Sequence, residues 1–278
     1  MRRWLIALVA VLGTAGDRRR GRLLARLAVV VPLGMVGAFA LAGQAMAAGG
    51  PTIRVCPSGC AYTTIAAAIT AAPSGATITI APGTYGGGLN TGNKNLKLLG
   101  GGASKTIISG GYPHSSIEID SGTVTISSVT MTGGHGAIFN NGGTVTLNGS
   151  TLSGNAGFGI GGILNEGGTV TLNNSTVTGN TSTAGGGIRN EGGTVTLNNS
   201  TVSSNNAFGA DGGGEGGGIF NDGGTVRLND STVTGNTADG DGGGIYNQTG
   251  TVTLKDSTIS GNNPDNCAPS SSIPGCTG

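Results

Sequence analysis

The chain has 278 residues, of which 58 are glycine, 4% aromatic and 10% charged, with a formal net charge of +1. Seven of the 14 basic residues fall within the first 26 positions, so the remainder carries 7 basic against 12 acidic side chains. That mildly acidic balance argues against nucleic acid and anionic membrane surfaces as partners. So much glycine without periodicity would mean disorder, whereas with a period it marks tight turns and close backbone approach.

Residues 1–47 read as an export signal. The basic cluster Arg18–Arg26 precedes an apolar run from Leu27 to Ala42, and Ala45-Met46-Ala47 offers a small-residue cleavage site. An earlier apolar run, Trp4 to Leu12, fits a start codon assigned too early, and Arg19-Arg20 leaves a twin-arginine route open. Pro32 and scattered glycines interrupt the second run, which falls short of the about 20 residues of a membrane span. The mature product is therefore expected outside the cell or loosely attached to the envelope, as a monomer without a membrane span.

Four cysteines in an exported chain point to two disulfides, with three connectivities to choose from. Cys56 and Cys60 precede the body of the chain, and Cys267 and Cys276 follow it. Pairs at opposite ends of a rod favour local bonds, Cys56–Cys60 and Cys267–Cys276, over end-to-end ones. Thr63 to Ala72 is expected to be helical, with Ile65, Ala68 and Ile69 on one face. Residues 48–76 then form an N-terminal cap, 77–263 the main body and 264–278 a C-terminal cap or tail. Asn95–Leu99, Thr106–Ser109 and Ile117–Asp120 read as degenerate early repeats.

From Gly142 to Asn262 one phrase recurs nearly five times, as in GGTVTLNNSTVTGN, joined by glycine-rich links ending in G-I-x-N. The central valines Val124, Val145, Val170, Val195, Val226 and Val252 are spaced by 21, 25, 25, 31 and 26 residues. A near-fixed period of this size predicts a solenoid. Each repeat holds three short runs that alternate at period two, such as Ile188-Arg189-Asn190, Thr194 to Leu197 and Thr201 to Ser203, with turn-forming Gly, Asn and Ser between them. One coil is then three strands and three turns, and coils stack about 4.8 Å apart. Inward side chains should form four aliphatic columns, led by Val145, Leu147, Leu152 and Ile138. Asn140, Asn165, Asn190, Asn221 and Asn247 should form one amide ladder, and Asn155, Asn180, Asn205, Asn236 and Asn262 another.

The Cys56-x3-Cys60 pair, the TTIAAAITAA helix and GATITIAPGTY together resemble the start of right-handed parallel β-helix proteins of the pectin-lyase-like superfamily. GGGIRN, GGGIFN and GGGIYN resemble the repeats of polymorphic outer-membrane and adhesin-type bacterial proteins. The resemblance covers about residues 52–276. It implies an all-β, right-handed parallel β-helix with three strands per coil and a short N-terminal capping helix. It also spans lyases, hydrolases and adhesins, so fold alone leaves the activity open.

The functional reading rests on the first-strand face. Between inward Ile and Asn one side chain per coil points out: Phe139, Leu164, Arg189, Phe220 and Tyr246. After each Asn come Asn141, Glu166, Glu191, Asp222 and Gln248. Glu166, Glu191 and Asp222 are expected to stack at about 5 Å intervals, a spacing that would raise a carboxylate pKa, recruit a cation or form a glycosidase pair. The links add Asp211, Glu215, Asp239 and Asp241, and a six-residue insertion lies around Ala207–Gly217. The expected function is binding or adhesion, with Phe139, Phe220 and Tyr246 as platforms and Arg189 and the three acids as polar contacts for a polysaccharide or cell-surface component. A polysaccharide lyase or glycoside hydrolase is the alternative. Resemblance to the lyases points to Arg189 beside Glu191, while Gly134-His135-Gly136 echoes polygalacturonases that carry paired aspartates absent here, so His135 reads as a turn residue. No catalytic or metal-ligating residue is assigned and no cofactor is expected, calcium staying open because GADGGGEGGG and ADGDGGGIY are near misses to a calcium repeat. Outward pairs such as Thr169/Thr171 and Thr194/Thr196, interrupted by Arg227, leave an ice-binding surface as a minor alternative.

Overall fold

The structure is a computed structural model, and it describes residues 50–209 and 213–277. The export-signal reading of residues 1–47 lies outside the described residues, as does Asp211. Residues from Gly50 onward wind into a right-handed parallel β-helix of about nine turns. In a representative coil the first strand is Ile188–Glu191, the second Thr194–Asn198 and the third Thr201–Ser203. Each pairs in parallel with its counterparts one coil away.

The inward columns follow from alternation within each strand. Val145, Val170, Val195, Val226 and Val252 are successive register partners, and so are Leu147, Leu172, Leu197, Leu228 and Leu254. Leu152 to Ile259 and Ile138 to Ile245 stack in the same way. These columns merge into a single core that also takes in Ile65, Ala68 and Ile69. One coil cannot bury its own aliphatic face, so stability comes from the stack.

Both expected asparagine ladders are present and buried. Asn140, Asn165, Asn190 and Asn221 each donate Nδ2 to the Oδ1 of the next, at 2.7–2.8 Å, ending on Asn247. The other ladder runs from Asn155 to Asn262 with spacings of 2.9 Å. A third, half-buried ladder joins Asn148, Asn173, Asn198 and Asn229. Buried Ser175, Ser200 and Ser231 line the same corner, each Oγ accepting from the backbone N–H of the serine before it. The corners are thus polar, and within each ladder successive amides satisfy one another from coil to coil.

The ends differ from expectation in two places. A strand at Thr52–Val55 precedes the helix and pairs with Ala76–Ile80, so the solenoid begins upstream of residue 77. Four residues containing exposed Arg54 show too little alternation to be recognised alone. The helix itself spans Ile65–Ala71, shorter than expected, because the Thr64 side chain caps its N-terminus and accepts from the Ala67 N–H. Lys94 Nζ closes the other end by donating to the carbonyls of Ile69 and Thr70 at 2.7 and 3.0 Å. The helix packs on the strands Thr52–Val55, Ala76–Ile80 and Leu89–Asn90. At the far end Cys267–Ala268 adds to the first-strand stack on Ile245 and Tyr246, and Ile273 is fully buried. Of the three disulfide connectivities the local one is formed, Cys56–Cys60 and Cys267–Cys276.

Candidate functional site

The outward column of the first strands is real: Glu118, Phe139, Leu164, Arg189, Phe220, Tyr246 and Ala268 are successive register partners. Its C-terminal half is closed upon itself. Phe220 and Tyr246 stack with ring centroids 5.6 Å apart and planes 17° from parallel, and the Arg189 guanidinium lies 5.7 Å over the Phe220 ring. Arg189 also forms an ion pair with Glu191. Phe220 is only 6% exposed and Leu164 7%, so neither is a free platform. The glycine-rich links explain the enclosure. Gly216 and Gly242 adopt φ of +66° and +67°, and a Cβ there would lie 2.8 and 2.6 Å from Cβ of Phe220 and Tyr246. The links fold flat against the bases of these rings because they carry no side chain of their own. Of the platforms expected from sequence, Phe220 is a packed surface residue, Tyr246 is half-buried in the same stack, and Phe139 alone faces a cavity.

The expected carboxylate stack is not formed as one ladder. Glu166 does pair with Glu191, but the register shifts after Asn190 and sets Glu191 opposite Gly223 instead of Asp222. Asp222 pairs instead with Thr249 and accepts from its hydroxyl at 2.9 Å. The reason is mechanical: ladders on either side fix the strands, and the corner between them is free to bulge. Glu191 is occupied by Arg189, which leaves Glu166 exposed and alone. Among the described residues no group of three or more His, Cys, Asp or Glu side chains gathers as metal ligands do.

Link acids do meet around Tyr246. Burial pushes its phenol above the ordinary value, and Glu215 and then Asp241 reinforce the shift. Burial likewise raises the Asp265 carboxyl, with Asp241 adding to it and the backbone N–H groups of Gly242 and Gly243 opposing. Asp239 accepts from the Gly209 N–H at 3.1 Å, tying down the inserted link. The outward threonine pairs stack in register from Thr123/Thr125 to Thr251/Thr253, with Arg227 opposite Thr196.

The N-terminal half of the column is open. A cavity of about 210 Å³ lies over the first strands Leu89–Asn90, Ile117–Ile119 and Ile138–Asn140, lined by Leu89, His114, Glu118, His135, Phe139 and Ile160 among others. The turn Gly111 to His114 closes on itself through His114 N–H to Gly111 O at 2.9 Å and stands out from the coil. That leaves Tyr112 81% exposed, with its ring edge-on to His135 at 5.5 Å. His135 Nε2 accepts from the Phe158 N–H at 3.4 Å. Phe158 is 75% exposed and meets Phe208 edge-on at 6.2 Å. Tyr112, His135, Phe158 and Phe208 thus form an aromatic row along the solenoid beside the cavity. His135, expected to be a plain turn residue, belongs to both. The sequence carried a signal for Phe158 and Phe208: each stands three residues after a ladder asparagine, Asn155 and Asn205. Nothing in the spacing of Tyr112 and His114 marked them, because their turn follows a degenerate coil.

No family model matches this chain, and no curated protein matches it in sequence. Its fold is similar to a solved structure, pectin methylesterase from carrot, with a TM-score of 0.53 over 81% of this chain and 88% of that one, at 14% sequence identity. At that identity the likeness establishes the architecture alone, a right-handed parallel β-helix.

Proposed function

We propose that the chain is a polysaccharide-binding protein whose ligand lies along the N-terminal half of the first-strand side. The observation that carries this reading is the cavity at Glu118, His135 and Phe139, with the exposed residues Tyr112 and Phe158 both in contact with His135 at its edge. The faces of pyranose rings are lined with C–H groups that pack on aromatic side chains, while hydroxyls need nearby acceptors and donors of the kind Glu118, His114 and Ser115 supply. Exposed aromatics concentrated in one row beside a concavity are what such a ligand requires. The two disulfides suit an oxidising compartment, and an extracellular location follows from the same proposal. No helix among the described residues is long and apolar enough to cross a membrane.

A second reading is a polysaccharide-modifying enzyme. It is favoured by the grouping of Glu118, His114 and His135 at one cavity and by the likeness to a protein named as a methylesterase of pectin. One experiment addresses both. The purified chain is passed over immobilised polysaccharides, and the soluble fraction is assayed for released methanol and for new reducing ends. Retention without release, abolished in Tyr112→Ala/Phe158→Ala, supports binding. Release lost in Glu118→Gln supports the enzyme. Neither retention nor release on any polysaccharide would overturn both.

A further inference from the structure

We infer that the polysaccharide taken by this site is uncharged, so that the site rejects polyuronates. This rests on the binding reading above and adds the ligand's charge class.

Charge is unevenly spread around the solenoid. The first-strand side and its corners carry Glu118, Asp120, Glu166, Glu191 and Asp222. Arg189 is the one outward cation on the described first strands, and it is already engaged by Glu191 and the Phe220 ring. Its backbone stands two coils beyond Phe139, with the guanidinium lying beside Gly159. The second strands expose Arg54, Lys97, Arg227 and Lys255, and their acids are confined to Asp230 and Asp256 at the corners that follow. Lys94, which lies between the faces in sequence, is tied to the helix carbonyls.

The cavity follows the acidic side. Its lining contains the Glu118 carboxylate and the imidazoles of His114 and His135, and neither lysine nor arginine. A polyuronate would bring one carboxylate per unit against Glu118 with no lysine or arginine in the lining to offset it, and like charges in a partly desolvated cleft repel strongly. A neutral chain incurs no such penalty. It can present ring faces to Tyr112, Phe158 and Phe208 and hydroxyls to Glu118, which accepts hydrogen bonds when ionised. The coil rise of about 4.8 Å is close to the length of one extended pyranose unit, and Tyr112, Phe158 and Phe208 stand on every second coil, so they can address every second sugar of a chain laid along the solenoid.

The test compares oligosaccharides of equal length: neutral cello- and N-acetylchito-oligosaccharides against oligogalacturonate, by calorimetry at low and high salt. A neutral oligomer should bind at least about tenfold more tightly than oligogalacturonate at low salt, with the gap narrowing as salt screens the repulsion. Glu118→Lys, checked for native circular dichroism, should gain oligogalacturonate binding. Oligogalacturonate binding as tightly as the neutral oligomers, or Glu118→Lys leaving the preference unchanged, would overturn the inference while the binding reading stands. If no oligomer binds, both fall together.

Discussion

The outward column of the first strands runs through both halves of the solenoid, yet the halves have opposite character. From Arg189 to Tyr246 every side chain has found a partner within the protein: a guanidinium over a ring, a ring on a ring, a carboxylate on the guanidinium. From Glu118 to Phe139 the same column borders a cavity, and the neighbouring turns hold out Tyr112 and Phe158. Residue type does not make the difference, since both halves hold aromatics and acids. The links do. In the C-terminal half glycines of the links lie against the column, whereas the segments Gly111 to His114 and Ala156 to Ile160 carry Tyr112 and Phe158 with their rings exposed. Aromatic content on a repeat scaffold therefore locates a site only when the turn geometry leaves a face uncovered.

The sharpest way to break this contrast is to exchange stability for binding across the two halves. Phe220→Ala should lower unfolding free energy by about 3 kcal/mol, as for other well-buried aromatics, and leave glycan retention intact. Phe158→Ala should change stability by no more than about 0.5 kcal/mol and weaken retention. Urea denaturation and affinity electrophoresis on the same samples would measure both, and the reverse pattern would move the site to the C-terminal half.

A smaller effect separates corners from surface. Asn190→Ala strands the buried amide of Asn165 and the carbonyl oxygens it served, at a cost of about 2 kcal/mol. Asn198→Ala removes an equivalent pair of ladder bonds in a half-buried row, where water can substitute, and should cost about 0.5–1 kcal/mol. Equal losses in urea melts would mean that burial does not distinguish the ladders.

The smallest effect depends on pH. Asp265 has its pKa raised by burial, so the folded state holds its proton more tightly than the unfolded state. Its contribution to stability is fully present below the ordinary carboxylate pKa and is lost as pH rises through the folded value. Ionised Asp265 is then a liability at neutral pH, and Asp265→Asn should raise the melting temperature there. The gain should shrink as pH falls through the carboxylate range. A gain independent of pH would show that charge is not the cause.

Much of this architecture could be read directly from residue spacing. Val145 to Val252 and Asn140 to Asn247 recur at a near-constant interval, and both rows stack as expected. The candidate site was legible only in part. Phe139 lines a cavity whereas Phe220 is enclosed, a difference that residue spacing does not show because enclosure depends on how Gly216 to Gly218 fold. Asn190-Glu191-Gly192-Gly193 and Asn221-Asp222-Gly223-Gly224 have the same pattern, so no spacing could reveal that Glu191 slides past Asp222. Tyr112, His114 and Phe158 lie up to 46 residues apart in sequence and meet only because coils superimpose.

The sequence by itself determined the stack, because burial acts on the same inward position in every coil and so leaves a periodic record. Only the tertiary structure decided which outward side chains are covered and which are free. Those positions escape the core's constraint, and their surroundings are set by link conformations that glycine leaves unspecified.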